Sequence, residues 1–396
     1  MSQRYQSFIL IIFGFFAANI LTMNHYIPVF TVAEEAAVQG AKELLFEGTP
    51  PNLASFFIGI LDFRWEDMFI NRLPSVLLMI LAFISAFFWG KKVFGKATMI
   101  TTMLVMASSL VLVNVGKFAT SDAWLFCFQL LMVLSIILYL KQPSKKWHLG
   151  HAVCTLLAMF IYPIGTLILN TVFLAFLMIF HKDGMQLRRL WMWLVPSAFA
   201  VASYFQGFPT FSEYQPFFVV YGVMGIGAYL LLMIYGVLPW FAFLPPGMRH
   251  NFRRFRHQRE ELSVIVLGAF AAGLVSMSLI PQFVFALVIA KQLQGFFHEK
   301  YPYHNLVKIG AVIHLLLVVF GAMILMVGGW QEMQGLGFRS MMVFTTIYWF
   351  ASFLGVVGIF SKNRRMIMGS MALAGVMVTF MFWGQIFPLL EAKGVF

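Results

Sequence analysis

The sequence predicts an all-α, polytopic membrane protein of about 13 transmembrane helices, on three observations. First, 61% of its 396 residues are hydrophobic and only 11% are charged, too little polar surface for a soluble chain of this length. Second, apolar runs recur at lengths near the roughly 20 residues a helix needs to cross a bilayer core of about 30 Å. Third, the basic residues sit between those runs in a one-sided pattern. Backbone groups in lipid must be satisfied within the segment, which favours helices. The runs lack the alternation of apolar and polar residues that a membrane β-barrel strand shows.

The predicted spans start near Phe8, Leu73, Ala97, Ala123, Leu149, Ile164, Leu190, Phe217, Leu262, Pro281, Gly310, Met341 and Met366, the fifth being short. The first run has no small-residue cleavage site and reads as a retained span. With the N-terminus inside, six of the 27 Lys and Arg residues fall outside: Lys42, Arg64, Arg72, Lys117, Arg339 and Lys393. This is the positive-inside pattern, and it accounts for the net charge of +12 without nucleic acid as a partner. The same orientation puts the C-terminus outside. Cys127 and Cys154 lie in apolar runs and read as small core residues, not as a disulfide or zinc site. One transmembrane domain covers 1–396, with an outer loop over 24–72, additional spans over 294–396 and no soluble C-terminal domain.

The outer loop carries a pattern of its own. Ala37, Ala41, Leu44 and Leu45 recur at helical spacing, and Thr31 with Glu34 has the spacing of a capping box. Gly48, Pro50 and Pro51 end this predicted interfacial helix. Leu53 to Leu61 is too short to span and also reads as interfacial. The basic stretch Arg249 to Arg259 is the largest inner-loop feature and reads as a topology determinant against anionic lipid.

Eleven of the 15 acids fall on the outer side, and several have two readings. Asp122 begins the fourth span: it is either a helix N-cap or a site carboxylate. Glu34 and Glu35 are either part of the capping box or a general base or metal ligand at the membrane surface. Glu213 is the one acid of the short loop Gln206 to Gln215, either solvated or metal-binding. Arg64, Arg72 and Lys117 are either snorkelling anchors or the cations a lipid-linked phosphate needs. His25 is placed to join an outer polar site, and His314 reads as a hydrogen-bonded core residue. No phosphate-binding glycine loop, metalloprotease pair, nucleophile elbow or haem signature is present.

The order of short motifs resembles the GT-C membrane glycosyltransferases of the aminoarabinose transferase and protein O-mannosyltransferase kind. Glu43-Leu44-Leu45 fits the first-loop helix of that family, and Asn71-Arg72-Leu73-Pro74-Ser75 is similar to the Arg-Leu-Pro-Ser entry to its second span. Lys91-Lys92-Val93-Phe94-Gly95 resembles its inner turn. Lys117-Phe118-Ala119-Thr120-Ser121-Asp122-Ala123 is close to its Arg-x-Ala-Thr-x-Asp-Ala turn. Gln215-Pro216-Phe217-Phe218, Leu238-Pro239-Trp240 and Ser278-Leu279-Ile280-Pro281 match later landmarks. The resemblance spans roughly Phe8 to Leu293.

The resemblance implies a multi-pass protein of a bacterial inner membrane. There a sugar moves from a polyprenyl-phosphate donor to an acceptor lipid, glycan or protein at the outer face, with inversion at the sugar carbon. It implies Glu34 (or Glu35) and Asp122 as catalytic carboxylates, Lys117 and Arg72 as lipid-phosphate contacts, and a divalent metal on the phosphate in some members. The residues themselves add Arg64 to the phosphate contacts and Glu213 and Glu47 as candidate metal ligands, at a site that is not the family's usual one. The sequence also departs from the family. A Glu-Lys-Pro-Pro feature is reduced to Glu47-Gly48-Thr49-Pro50-Pro51, a His is replaced by Glu213, and a Lys-Gly-Pro turn becomes Ile161-Tyr162-Pro163. These losses remove phosphate-binding cations. They motivate the alternative of a GT-C-like scaffold or lipid-binding subunit, with membrane-protein partners, that has lost catalysis. A transporter would instead place charges in mid-span, and His314 alone does not make that case.

Overall fold

The computed structural model describes residues 3–23, 68–117, 120–191, 226–332 and 336–381. Every regular element among them is helical. In chain order the α-helices, apart from the short 3-10 turns Gly184–Leu187 and Leu238–Phe243, are α1 (Gln3–Met23), α2 (Met68–Phe94), α3 (Lys96–Ala107), α4 (Leu110–Val115), α5 (Asp122–Lys141), α6 (Lys145–Met159), α7 (Pro163–Phe180), the short α8 (Arg188–Trp191) and α9 (Ile226–Gly236). They continue with α10 (Leu244–Gln258), α11 (Glu261–Val275), α12 (Ile280–Phe296), α13 (His304–Glu332), α14 (Leu336–Phe360) and α15 (Arg364–Met381). Among the described residues, Ile70–Phe94, Asp122–Lys141, Pro163–Phe180, His304–Ile324 and Met341–Phe360 are long and apolar enough to cross a membrane. Gln6–Ala17, Lys96–Ala107, Glu261–Val275 and Ile280–Phe296 are shorter apolar helices. The chain is a multi-pass membrane protein.

The centre of the fold is α5. Its sequence is apolar on every side, and a helix of that kind is stable only when surrounded by protein or lipid. Here protein surrounds it: all its residues except Phe128 and Lys141 are buried, and its most extensive neighbours are α2 and α6. The opposite case is α13, where Leu316, Phe320 and Met323 are exposed in register along one face, as suits contact with acyl chains.

The polarity of the bundle follows from a few contacts. Lys141 Nζ, at the end of α5, donates to the Lys92 carbonyl near the end of α2 at 2.5 Å, so α2 and α5 run parallel. Thr98, in the first turn of α3, donates to Gln294 Oε1 in the last turn of α12 at 3.1 Å. Lys182 and His181 approach Glu261 at 3.4 and 3.7 Å, joining the end of α7 to the start of α11. The turns predicted to be inner therefore gather at one end, the basic end. Gly95, at φ 85°, makes the two-helix turn there in a backbone conformation that a side chain would strain.

Two features differ from the predicted spans. The run starting near Ala97 is not one helix: it breaks at Ser108–Ser109, where Ser108 Oγ accepts from Trp240 Nε1 at 2.9 Å and Ser109 Oγ donates to the Met106 carbonyl at 2.9 Å. Serine hydroxyls compete with the helical ladder in this way. The basic stretch Arg249 to Arg259 is not a loop but most of α10, which opens with Pro245 and Pro246 in its first turn and closes at Arg259 in the left-handed region, φ 44°. The cysteines and His314 are buried as predicted. The ring nitrogens of His314, however, have no hydrogen-bond partner among the described residues, against the hydrogen-bonded role expected of it.

Candidate functional site

Because α2 and α5 are parallel and tied at their basic ends, their starts lie at one level. Twenty residues separate Arg72 from Lys92 and 19 separate Asp122 from Lys141, which at 1.5 Å per residue is about 30 Å and 28 Å of rise. The starts of α2 and α5 therefore lie at the end opposite the basic one, and the turn following α4 is seated against α2 at Met79. Three of the residues singled out in the sequence lie on these segments: Arg72, Lys117 and Asp122.

All three are buried, at 2%, 2% and 1% exposure. This is unusual for charged groups, which are almost never fully buried unless partnered, and it separates them from the exposed arginines and lysines of the basic end. Asn71, Ser75 and Thr120 are buried beside them in the chain. Gly116 packs its backbone toward Met79 of α2, where an added Cβ would stand 3.2 Å from Met79 Cγ. That close approach seats the Lys117 turn on α2. A second small apolar cluster, Trp124, Leu125, Ala158 and Ile161 with Leu78 and Tyr162, closes the side toward the α6–α7 turn.

Asp122 is the first residue of α5, and the N-cap is Ser121. The capping reading is thus displaced by one position, and the carboxylate does different work. Its Oδ2 accepts a hydrogen bond from Thr120 Oγ1 at 3.0 Å. As a first-turn acid it also sits at the positive end of the α5 dipole. Burial lowers the Lys117 ammonium well below the ordinary lysine pKa, because a low-dielectric setting disfavours the charged form.

Asn71 and Thr120 belong to this cluster but were not among the predicted site residues. Their signal was adjacency: each sits within two residues of a charged group that the fold buries. Glu34, Glu35, Glu47, Arg64 and Glu213, with the predicted interfacial helix of the outer loop, lie outside the described residues. For a divalent metal the test is the donor set. No group of three His, Cys, Asp or Glu side chains gathers among the described residues, and the charged groups of the described site are two cations and one carboxylate.

Residues 50–205 match the family model described as dolichyl-phosphate-mannose-protein mannosyltransferase. Among solved structures, the chain is similar to ArnT from Cupriavidus metallidurans bound to undecaprenyl phosphate, with a TM-score of 0.69 at 14% identity, over 98% of this chain and 77% of that one. The apo form of the same protein gives a TM-score of 0.66 at 14% identity, over 100% of this chain and 78% of that one. The apo oligosaccharyltransferase of Archaeoglobus fulgidus gives 0.53 at 11% identity, over 79% of this chain and 54% of that one. No curated protein sequence matches. The fold is that of the GT-C membrane glycosyltransferases.

Proposed function

We propose that this chain is a GT-C membrane glycosyltransferase that moves a sugar from a polyprenyl-phosphate donor to an acceptor hydroxyl, at the membrane face where α2 and α5 begin. One observation carries this reading: a buried carboxylate and two buried cations on the starts of α2 and α5 and the turn after α4, on a fold of this class. The family match over 50–205 and the likeness to a structure bound to undecaprenyl phosphate support it.

The chemistry is a displacement at the anomeric carbon. The acceptor oxygen forms the new bond, the bond from that carbon to the phosphate oxygen breaks, and polyprenyl phosphate leaves with both electrons. The acceptor proton passes to a carboxylate, and the developing charge on the leaving phosphate needs cations. Asp122 fits the first task, held in orientation by Thr120. Lys117 and Arg72 fit the second, since fixed cations in a water-poor site stabilise a leaving oxyanion more than they would in water. Glu34 or Glu35, Glu47, Arg64 and Glu213 complete the set in this proposal. A bacterial inner membrane, with the N-terminus cytoplasmic and the active face periplasmic, agrees with the charge pattern of the sequence.

The test is transfer in membranes: full-length protein, a labelled polyprenyl-phosphate sugar, and release of polyprenyl phosphate followed with time. Release that depends on the protein, and is lost in Asp122→Asn, supports the reading. No release with any donor, together with copurification of a fixed set of membrane partners, would replace it with the scaffold.

A further inference from the structure

The end of the bundle opposite Asp122 carries a second concentration of polar groups that sugar transfer does not use. Two adjoining cavities of about 340 and 360 Å³ open between α10, the end of α12 and the turn before α13, sharing His250, Arg254 and Pro302 in their walls. Arg253 and His257 complete one, and Lys291, Lys300 and His298 line the other. The position is fixed by the contacts already described: Gln292 and Gly295 line the second cavity, and Gln294 receives the Thr98 bond beside the Lys92–Lys141 link.

The walls are held in place. Tyr301 donates to Gln292 Oε1 at 2.6 Å, and the rings of His250 and Tyr303 meet edge to face at 5.7 Å. Asn251 is tied to the Gly247 carbonyl at 2.9 Å. The acid of the cleft is Glu260, and both its oxygens are engaged, one by Arg254 at 2.8 Å and the other by Ser263 at 2.9 Å. Among the described residues, Arg253, Lys291 and Lys300 take part in no salt bridge. A ring of cations drawn from three chain segments into one cleft, with its carboxylate already committed, is a pattern for charge-assisted hydrogen bonding to an oxyanion and not for a solvated surface face.

We propose that this cleft binds a phosphate-type oxyanion, at a site distinct from the proposed transfer site and on the other side of the bilayer. The half-buried Lys291 and the exposed Lys300 line one of its two cavities, and the exposed Arg253 lines the other. Two sources present the same chemistry: the headgroup of an anionic phospholipid in the adjoining leaflet, and a soluble phosphate compound. Basic pockets between spanning helices recognise lipid headgroups in this manner. The site does not depend on the sugar-transfer reading, because none of its residues belongs to the Asp122 cluster.

The test uses the full chain purified in detergent and in nanodiscs. Inorganic diphosphate is titrated by calorimetry, and retention of dioleoylphosphatidylglycerol against dioleoylphosphatidylcholine is read by native mass spectrometry. We expect saturable binding of at least one probe, weakened about tenfold by Lys291→Gln and by Lys300→Gln, in line with loss of a charge-assisted hydrogen bond. Arg256→Gln, on the same helix but outside the cleft, should leave it within about twofold, as suits an exposed charge. Diphosphate binding identifies a soluble ligand, and selective retention of the glycerol lipid without diphosphate binding identifies a headgroup. Lys300 is exposed, so its variant remains informative if Lys291→Gln fails to fold. Absence of saturable binding to either probe, or equal weakening by Arg256→Gln, overturns the proposal.

Discussion

Thr120 Oγ1 donates to Asp122 Oδ2 across 3.0 Å, inside a turn where both side chains are buried. The bond fixes which oxygen of the carboxylate remains for other partners and which way it points. It also explains why a Thr precedes the Asp by two residues: the hydroxyl reaches forward over one intervening residue to the start of the helix.

From that bond follows a graded pair of variants. Asp122→Asn keeps the shape and removes the charge, and sugar transfer should fall by at least about a hundredfold, the scale of losing a positioned acid or base. Thr120→Val removes one hydrogen bond to a charged acceptor, worth about 1.5–3 kcal/mol, and should reduce transfer by roughly tenfold to a hundredfold with the protein still folded. Transfer rates in reconstituted membranes, with thermal unfolding as the control, decide it. A Thr120→Val variant with unchanged rate would remove the bond from the mechanism.

Lys117 gives a prediction in pH. Burial lowers its pKa from the ordinary value, so in the free protein the ammonium loses its proton at lower pH than an exposed lysine would. A bound phosphate favours the charged form and raises that pKa again. Linkage then requires donor affinity to be highest at the low side of this window and to fall as pH rises through the free-state pKa of Lys117. Lys117→Arg stays charged throughout, so its affinity for polyprenyl phosphate should be flat over the pH range in which the wild-type affinity falls. A wild-type affinity that is also flat would exclude Lys117 as the titrating contact.

Much of this was legible in the sequence for simple reasons. Long apolar runs set the spans. Arg72 and Lys117 stood out because few basic residues occur on that side, and Asp122 because it begins a span, where charge is costly near lipid. What the sequence hid came from two competing effects. The density of Arg and His in Arg249–Arg259 masked a helix whose apolar side, with Phe255 stacked on Phe176 at 5.7 Å, is only a few residues wide. Ser108 and Ser109 broke a helix inside an apolar run, because their hydroxyls bond to nearby carbonyls and Ser108 also accepts from Trp240, 132 positions away. A tertiary partner that distant leaves no local pattern. Asn71 was passed over because a neutral amide beside an arginine reads as ordinary interface until its burial is seen.

Tyr229 tests how α9 is held. Its hydroxyl donates to the carbonyls of Ser278 and Gly273, at the turn between α11 and α12. Tyr229→Phe removes the donor and leaves buried carbonyls short of a partner, which should cost on the order of 1–2 kcal/mol. The transfer site is not touched, so the expected result is a lower unfolding midpoint with transfer unchanged at permissive temperature. Equal loss of activity and stability would mean that the turn also positions the site.

Gly375 makes the sharpest packing prediction. It lies in α15 against the break between α3 and α4, and a Cβ added there would land on the Ser108 carbonyl oxygen, with the Ser108 Cβ also in the way at 2.7 Å. A backbone atom cannot rotate aside as a side-chain end can, so Gly375→Ala must push α15 away from the bundle or distort the Ser108 turn. Overpacking of this kind costs about 1–3 kcal/mol, and the Trp240–Ser108 bond at 2.9 Å is the contact in line to be strained. Gly369→Ala, where nothing lies within 4 Å of the added Cβ, is the matched control on the same helix. A methyl group there should leave stability the same or raise it by a few tenths of a kcal/mol, since alanine is the better helix former. Unfolding midpoints of the two variants, measured in the same detergent, should therefore move in opposite directions or differ by at least about 1 kcal/mol; equal midpoints would show that α15 does not pack on Ser108 as described.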